Sequence, residues 1–263
     1  EVKIYQNEVN MGSNKTFEKL TAMSKGDFIA YCDQDDIWEE DKLSVLVNTL
    51  LVQNALVCYS DLSIIDDHDK FVASSFKKIS KRLNHIYGEK TYGYFLRRNS
   101  ITGCTMLINS RIAKESLPFP NSNEYVHDHW LALFASCKGN IAYVERPLIR
   151  YRIHANNQIG AKVLSGIETK EDYITKKLQL EKNKVEYVNA RNLGNDNSEI
   201  QMQIEHFQEF VNNRIAFFEN KGLKNTILFL RNITFDPVLI SFELLINLLP
   251  NFLSNKLITK AKS

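Results

Sequence analysis

Three aspartates, Asp33, Asp35 and Asp36, fall within four positions of the chain, directly after the apolar run Phe28-Ile29-Ala30-Tyr31-Cys32. Like charges that close repel one another, so the group favours a compensating cation. A hard divalent ion, Mn2+ or Mg2+, takes carboxylate oxygens and keeps positions open for a phosphate. The competing reading is a solvated acidic turn that opens a helix, where carboxylates are favourable. An EF-hand calcium loop is excluded by register. Counted from Asp33, its glycine position holds Trp38 and its glutamate position holds Ser44.

Two further places carry chemistry. His127-Asp128-His129-Trp130 precedes the apolar Leu131-Ala132-Leu133-Phe134. A helix beginning near Asp128 makes that residue either an N-terminal helix acid or a general base at a cleft edge. His154 follows a strand-like run. A histidine there is usually structural, but beside a metal it becomes a ligand or a phosphate contact.

These residues need elements to hold them. Phe28 to Cys32 is aromatic, β-branched and small, and predicts a strand. In an open α/β sheet such a strand delivers the aspartates beyond its carboxyl end, where ligands bind. Alternation in Glu1-Val2-Lys3-Ile4-Tyr5 predicts an earlier strand. Asn7 to Asn14 is a loop, and Ser13 or Asn14 caps a helix with Phe17, Leu20 and Met23 on its core face. Gly26 stops that helix. The resulting β-α-β unit implies parallel strands and a right-handed crossover. Leu43, Leu46, Val47, Leu50 and Leu51 mark the next helix, and Leu56 to Tyr59 the next strand. Residues 66–82 read as loop plus a short helix. Ile101 to Asn109 reads as a strand whose Gly103 permits close backbone approach. A helix follows from Ser110, and two strands, 141–144 and 148–153, join around Pro147.

The length of 263 residues holds one large domain, or one domain with a smaller attachment. Net charge is +2, so no nucleic acid partner is expected. Cys32, Cys58, Cys104 and Cys137 form no CxxC pair and read as free thiols of a reducing compartment. No signal-peptide pattern or apolar run of spanning length is read, which places the expected location in the cytoplasm.

Beyond residue 160 the character changes. Residues 168–186 look helical, 192–197 form a break, and Ile200, Ile204, Phe207, Val211, Ile215 and Phe218 make a helical stripe. Asp236-Pro237 starts another helix. Val238 to Leu249 is apolar except at Ser241, Glu243 and Asn247, and Lys256, Lys260 and Lys262 follow. The segment is either a helix packed on its neighbours or one lying on the inner face of the plasma membrane, its lysines toward anionic lipid.

Taken in order, Asn7 to Asn14 with its helix, Asp33-Gln34-Asp35-Asp36-Ile37-Trp38, Gly103-Cys104-Thr105-Met106, His127-Asp128-His129-Trp130 and Tyr151-Arg152-Ile153-His154-Ala155-Asn156-Asn157 carry a resemblance. The chain resembles a bacterial family 2 glycosyltransferase of the rhamnosyltransferase-like subgroup. The resemblance implies the α/β, A-type glycosyltransferase fold, a Rossmann-like mixed sheet flanked by helices. It implies a catalytic domain over residues 1–160 and a helical region over 161–263. It further implies a nucleotide-sugar donor, a saccharide or lipid-linked acceptor, Mn2+ or Mg2+, and inversion at the anomeric carbon.

Roles follow from the same resemblance. Asp35, with Asp33 or Asp36, holds the metal, and His154 completes its shell or touches the diphosphate. Asp128 is the acceptor-activating base. Asn14, Gly103, His127 and Asn157 contact donor or acceptor, and Trp38 and Trp130 either wall the sugar pocket or lie in the core. The family opens with a strand, a helix and a second strand that bind the nucleotide base and carry an early Asp. Glu1 already stands before the third strand, so the first strands are expected to be missing. Two rival classes remain. A metal-dependent phosphohydrolase needs further His and Asp ligands on helices, and a non-catalytic remnant would offer only an interaction surface.

Overall fold

The computed structural model describes residues 2–80, 84–121, 124–153 and 166–261. The chain divides into two compact units, Glu1–Asn157 and Gln158–Ser263.

In the first unit the elements run α1 (Gly12–Met23), β1 (Phe28–Ala30), β2 (Ile37–Trp38), α2 (Lys42–Val52), β3 (Ala55–Ile65), β4 (Phe71–Ala73), α3 (Phe76–Ile79), α4 (Tyr92–Phe95), β5 (Met106–Asn109), α5 (Ser110–Glu115), α6 (His127–Ser136) and β6 (Asn140–Arg152). The strands form one mixed sheet in the order β1-β5-β3-β6-β2, with β4 added to β3. Only β3 and β6 pair in parallel; the other pairs are antiparallel. Leu46 and Leu50 of α2 pack on Cys58, Leu107, Ala142 and Leu148. Each such leucine contributes roughly 1.5–3 kcal/mol by leaving water. Trp130, Leu131, Ala132, Leu133 and Ala135 of α6 are fully buried, and that helix packs on β3 and β6.

Several expectations are corrected. Residues 2–6 form no strand: Val2 and Ile4 are 89% and 90% exposed. An alternating pattern becomes a strand only where a neighbouring edge pairs with it. The parallel β-α-β unit therefore fails, and Phe28 to Ala30 pair antiparallel with Leu107 to Asn109. Helix α1 starts at Gly12, and neither Ser13 nor Asn14 caps it. It buries Asn14 and Thr21, while Leu20 and Met23 stay largely exposed. The two expected strands around Pro147 are one. Register passes from Ser60↔Val144 to Asp61↔Pro147, so Glu145 and Arg146 bulge out at the residue that has no N–H to give. The β3–β4 hairpin lies in the stretch read as loop; its turn is tied by Asp66, whose Oδ1 accepts the His68 and Lys70 N–H groups at 2.9 Å. All four cysteines are free, with Cys58 and Cys104 buried and Cys32 exposed.

The second unit is helical. Following α7 (Lys170–Asp172), a π-helical turn (Tyr173–Leu178) runs into α8 (Gln179–Ala190), then α9 (Ser198–Glu219), α10 (Leu223–Arg231), α11 (Pro237–Leu248) and α12 (Asn251–Lys260). Asp236 caps α11 as its type and place predict, accepting the Leu239 N–H at 3.2 Å ahead of Pro237. Two polar interruptions of α11, Glu243 and Asn247, point inward, while Ser241 is exposed. Glu243 accepts Arg214 Nε at 2.9 and 3.0 Å and the Tyr173 hydroxyl at 2.7 Å, and Asn247 donates to the Phe217 carbonyl at 3.0 Å. Val238, Leu245 and Leu248 of the same helix, and Phe252 of α12, face outward at 51–72% exposure. Among the described residues no helix is long and apolar enough to cross a membrane.

Candidate active site

The turn after β1 brings carboxylates together. Ligand atoms of Asp33, Asp36 and Cys104 lie within 4.8 Å of one another. Asp36 Oδ1 accepts the Arg152 N–H at 3.1 Å, while Oδ2 is buried with no hydrogen-bond partner. Burial pushes the Asp36 carboxyl up to about 6, against the Arg152 N–H and the Cys104 thiol. Asp33 is raised by burial too, opposed by His127 and reinforced by Asp35 and Asp128. An orphaned buried carboxylate oxygen beside a second carboxylate fits an oxygen-liganded divalent cation. Cys104 is buried and its thiol is held well above its ordinary range, so it stays protonated and is a poor ligand for a hard cation. Asp35 does not join the converging group; its carbonyl accepts Arg152 Nε at 2.9 Å.

Two cations brace this turn. Arg152, at the end of β6, also donates Nη1 to the Asp66 carbonyl at 2.9 Å and pairs Nη2 with Asp69 at 2.6 Å. Lys42, fully buried at the start of α2, donates Nζ to the Cys104 carbonyl at 2.6 Å and lies 3.5 Å over the Trp38 ring. Burial lowers Lys42 to about 8, with nearby thiols and carboxylates opposing.

The second half of the site is the start of α6. Asp128 Oδ2 accepts the Gly103 N–H at 3.0 Å, and Oδ1 accepts Asn99 Nδ2 at 3.1 Å and the His129 N–H at 2.6 Å. Three donors fix the carboxylate in one orientation, and burial raises its pKa. A more basic, immobilised carboxylate suits proton abstraction. Gly103 is required for this geometry: a Cβ there would stand 2.6 Å from His127 Nε2. The His127 ring packs against Phe17 and Tyr31, with centroids 4.2 and 5.4 Å away, and burial holds it neutral despite Asp128 and Asp33. Cys104, whose thiol stands with Asp33 and Asp36, adjoins Gly103, whose N–H holds Asp128, so the acidic turn and the α6 carboxylate are neighbours.

Other sequence-predicted residues land elsewhere. Trp130 is wholly buried, its indole N–H donated to the Ser116 carbonyl at 2.9 Å, and belongs to the core. Asn14 donates to the Pro120 and Tyr125 carbonyls at 2.9 and 3.2 Å and so braces the segment leading to α6 rather than facing a ligand. Trp38 serves as the platform for Lys42. His129 Nε2 is taken up by the Phe95 carbonyl at 2.6 Å, and a histidine that does group with carboxylates is exposed His68, with Asp66 and Asp67 on the β3–β4 turn. His154 and Asn157 lie outside the described residues. Asn99, Lys42 and Cys104 were not legible as site residues. The Asn-x-Ile spacing, in which Asn99 Oδ1 accepts the Ile101 N–H at 3.0 Å, marks a turn but not what the amide holds.

Comparison with known proteins bears on this arrangement. Residues 1–115 match the family described as glycosyl transferase family 2. The chain is 30% identical over 162 residues to the dTDP-rhamnosyl transferase RfbG of Shigella flexneri, which covers 58% of this chain and 53% of that protein. It is 28% identical over 159 residues to the Escherichia coli UDP-Glc:alpha-D-GlcNAc-diphosphoundecaprenol beta-1,3-glucosyltransferase WfgD, covering 58% and 56%. The chain thus spans about half the length of these curated relatives. In fold it is similar to S. aureus TarS 1–349, solved in complex with UDP-GlcNAc, with a TM-score of 0.50 at 13% identity over 86% of this chain and 61% of that one. The fold is accordingly similar to the A-type glycosyltransferase fold, and residues 1–115 resemble glycosyl transferase family 2.

Proposed function

We propose that this protein transfers a hexosyl unit, of the rhamnosyl or glucosyl type, from a nucleotide-sugar donor to a saccharide or lipid-linked saccharide during cell-surface polysaccharide synthesis. The observation that carries the reading is the Asp33–Asp36 carboxylate pair, with its unpartnered Asp36 Oδ2, beside the triply anchored Asp128. Asp33 and Asp36 are the residues to hold Mn2+ or Mg2+. Such an ion neutralises the donor diphosphate and stabilises it as a leaving group. Asp128 accepts the proton of the acceptor hydroxyl. That oxygen bonds to the anomeric carbon from the face opposite the diphosphate, whose bond to the sugar breaks, and configuration inverts.

The outward apolar row Val238, Leu245, Leu248 and Phe252, followed by Lys256 and Lys260, supports seating on an anionic cytoplasmic membrane face, where a lipid-linked acceptor resides.

The test uses dTDP-rhamnose and UDP-glucose as donors with Mn2+. Asp128→Asn should cut transfer by about 10²–10⁴-fold, the range for losing a general base, while donor affinity stays near wild type. Equal proportional loss of donor affinity and transfer overturns the base assignment.

A further inference from the structure

A second group of chemistry-bearing residues stands apart from the carboxylate site. His85, Tyr87 and Tyr143 are nearly parallel rings: His85 stacks on Tyr143 at 4.4 Å and 19°, and Tyr87 on Tyr143 at 5.5 Å and 20°. Tyr59 closes the inner side 4.9 Å from Tyr143. Tyr87 is 58% exposed, so the stack opens to solvent at that ring. Both His85 ring nitrogens are buried without a hydrogen-bond partner. His85 Nε2 faces Asp61 Oδ1 at 3.8 Å, too far for a hydrogen bond. Burial lowers the His85 pKa, so the ring is neutral at pH 7 and offers one donor and one acceptor. Asp61 is itself buried and is held by the Leu62 and Phe76 N–H groups at 2.8 and 3.3 Å.

The backbone fastens this cluster to the base. The Tyr59 hydroxyl donates to the Ile86 carbonyl at 3.1 Å, and the Ile86 N–H reaches Ser100 Oγ at 3.4 Å. Ser100 adjoins Asn99, which holds Asp128. Gly88 bridges to Ile141 of β6 at 2.7 and 3.2 Å, fixing the segment on the sheet edge. Stacked aromatic faces with a wet outer ring, next to an unfilled polar pair, suit a ligand that has both C–H faces and hydroxyls. An unpaired buried polar group costs free energy until something pairs with it.

We propose that His85, Asp61, Tyr87 and Tyr143 form a binding subsite for a neutral pyranose ring of the acceptor, with a ring hydroxyl bridging His85 and Asp61 and the sugar's C–H face on the tyrosines. The assignment to the acceptor rests on the glycosyltransferase reading; the sugar site itself does not.

The test is a titration of the intact chain, ring-labelled at histidine, with methyl α-L-rhamnopyranoside and methyl β-D-glucopyranoside, followed by NMR. Mannitol, which has hydroxyls but no ring face, is the control. The His85 ring signal should move with at least one pyranoside and not with mannitol. Tyr87→Ala removes an exposed ring and should weaken the binding about fivefold or more, the scale of one aromatic contact. A His85 signal that no pyranoside moves overturns the subsite, and so does unchanged affinity in Tyr87→Ala. The wild-type titration decides even if a variant misfolds. Absence of transfer with a normal titration sinks the enzymatic reading and leaves the subsite standing; transfer without the titration does the reverse.

Discussion

Gly103→Ala is the sharpest probe of how the base is held. The added methyl would sit 2.6 Å from His127 Nε2, 3.3 Å from its Cε1 and 3.5 Å from Asp128 Cβ. Ordinary carbon contacts lie near 3.5–4.0 Å, so the ring must yield by about 1 Å. It has little room, with Phe17 at 4.2 Å from its centroid. Overpacking of this kind costs about 1–3 kcal/mol. It also pushes away the Gly103 N–H that anchors Asp128, so transfer should fall tenfold or more, since losing one charge-assisted hydrogen bond is worth about 1.5–3 kcal/mol. His127→Ala alone should destabilise as well, by about 1–3 kcal/mol for a partly exposed ring. The double variant removes the clash, so its loss should fall short of the sum by about 1 kcal/mol or more. Urea denaturation of the four proteins reads the cycle. Additivity within about 0.5 kcal/mol would refute the contact and the account of why glycine stands there.

Asp33→Asn and Asp36→Asn should each abolish saturable Mn2+ binding by calorimetry in the presence of donor, whereas Asp35→Asn should weaken it less; equal loss in all three would return Asp35 to the metal site. In metal-free buffer the Asp36 carboxyl, raised to about 6, favours the folded protein most when protonated. Its contribution is full below about pH 4 and is lost as pH rises through 6, which makes wild type less stable at pH 7 than at pH 5 by about 1 kcal/mol from this group, after solvent screening of a partly exposed carboxyl. Urea midpoints of wild type and Asp36→Asn across that window isolate this contribution, since His85 and His127, lowered by burial, titrate the other way in both; identical slopes would refute it. Flotation on anionic vesicles should be reversible, weaken with salt, and drop on replacing Val238, Leu245, Leu248 and Phe252 with Ser. Deleting α11 is the wrong control, because it strips Glu243 from buried Arg214.

Local patterns revealed what local physics decides. The strand into Asp33, the helix over residues 42–52, the α6 start at Asp128 and the Asp236-Pro237 cap each follow from spacing and residue type within one turn. Pairing was not legible in the same way. Nothing in Phe28-Ile29-Ala30 says that its partner is Leu107 to Asn109, some eighty residues on, rather than Val2 to Tyr5. The apolar face of α1 misled because Leu20 and Met23 have no neighbour to cover them, while polar Asn14 is buried for its carbonyl contacts. In α11, Glu243 reads only as a polar exception in an apolar run; its long-range partners Arg214 and Tyr173 turn it inward. Asn99 was invisible for a related reason: its amide serves a carboxylate 29 residues away.

The charges around the acidic turn explain why the carboxylates remain available to a cation. Two basic side chains stand close enough to neutralise Asp33 and Asp36. Arg152 instead spends its guanidinium on the Asp35 and Asp66 carbonyls and on Asp69, giving Asp36 only a backbone N–H. Lys42 directs Nζ to the Cys104 carbonyl and the Trp38 face. Each cation shapes the turn through backbone oxygens and leaves the Asp36 Oδ2 position unfilled. A direct ion pair would lower the carboxylate pKa values; here burial dominates and raises them. Crowded carboxylates held in that condition are a local cost to the fold, one that a divalent ion bound to the native state would relieve. The same arms serve the base: the Cys104 carbonyl gripped by Lys42 adjoins Gly103, whose N–H grips Asp128. Lys42 thereby ties the geometry of the Asp33–Asp36 turn to that of the Asp128 carboxylate through one three-residue turn, Gly103–Thr105.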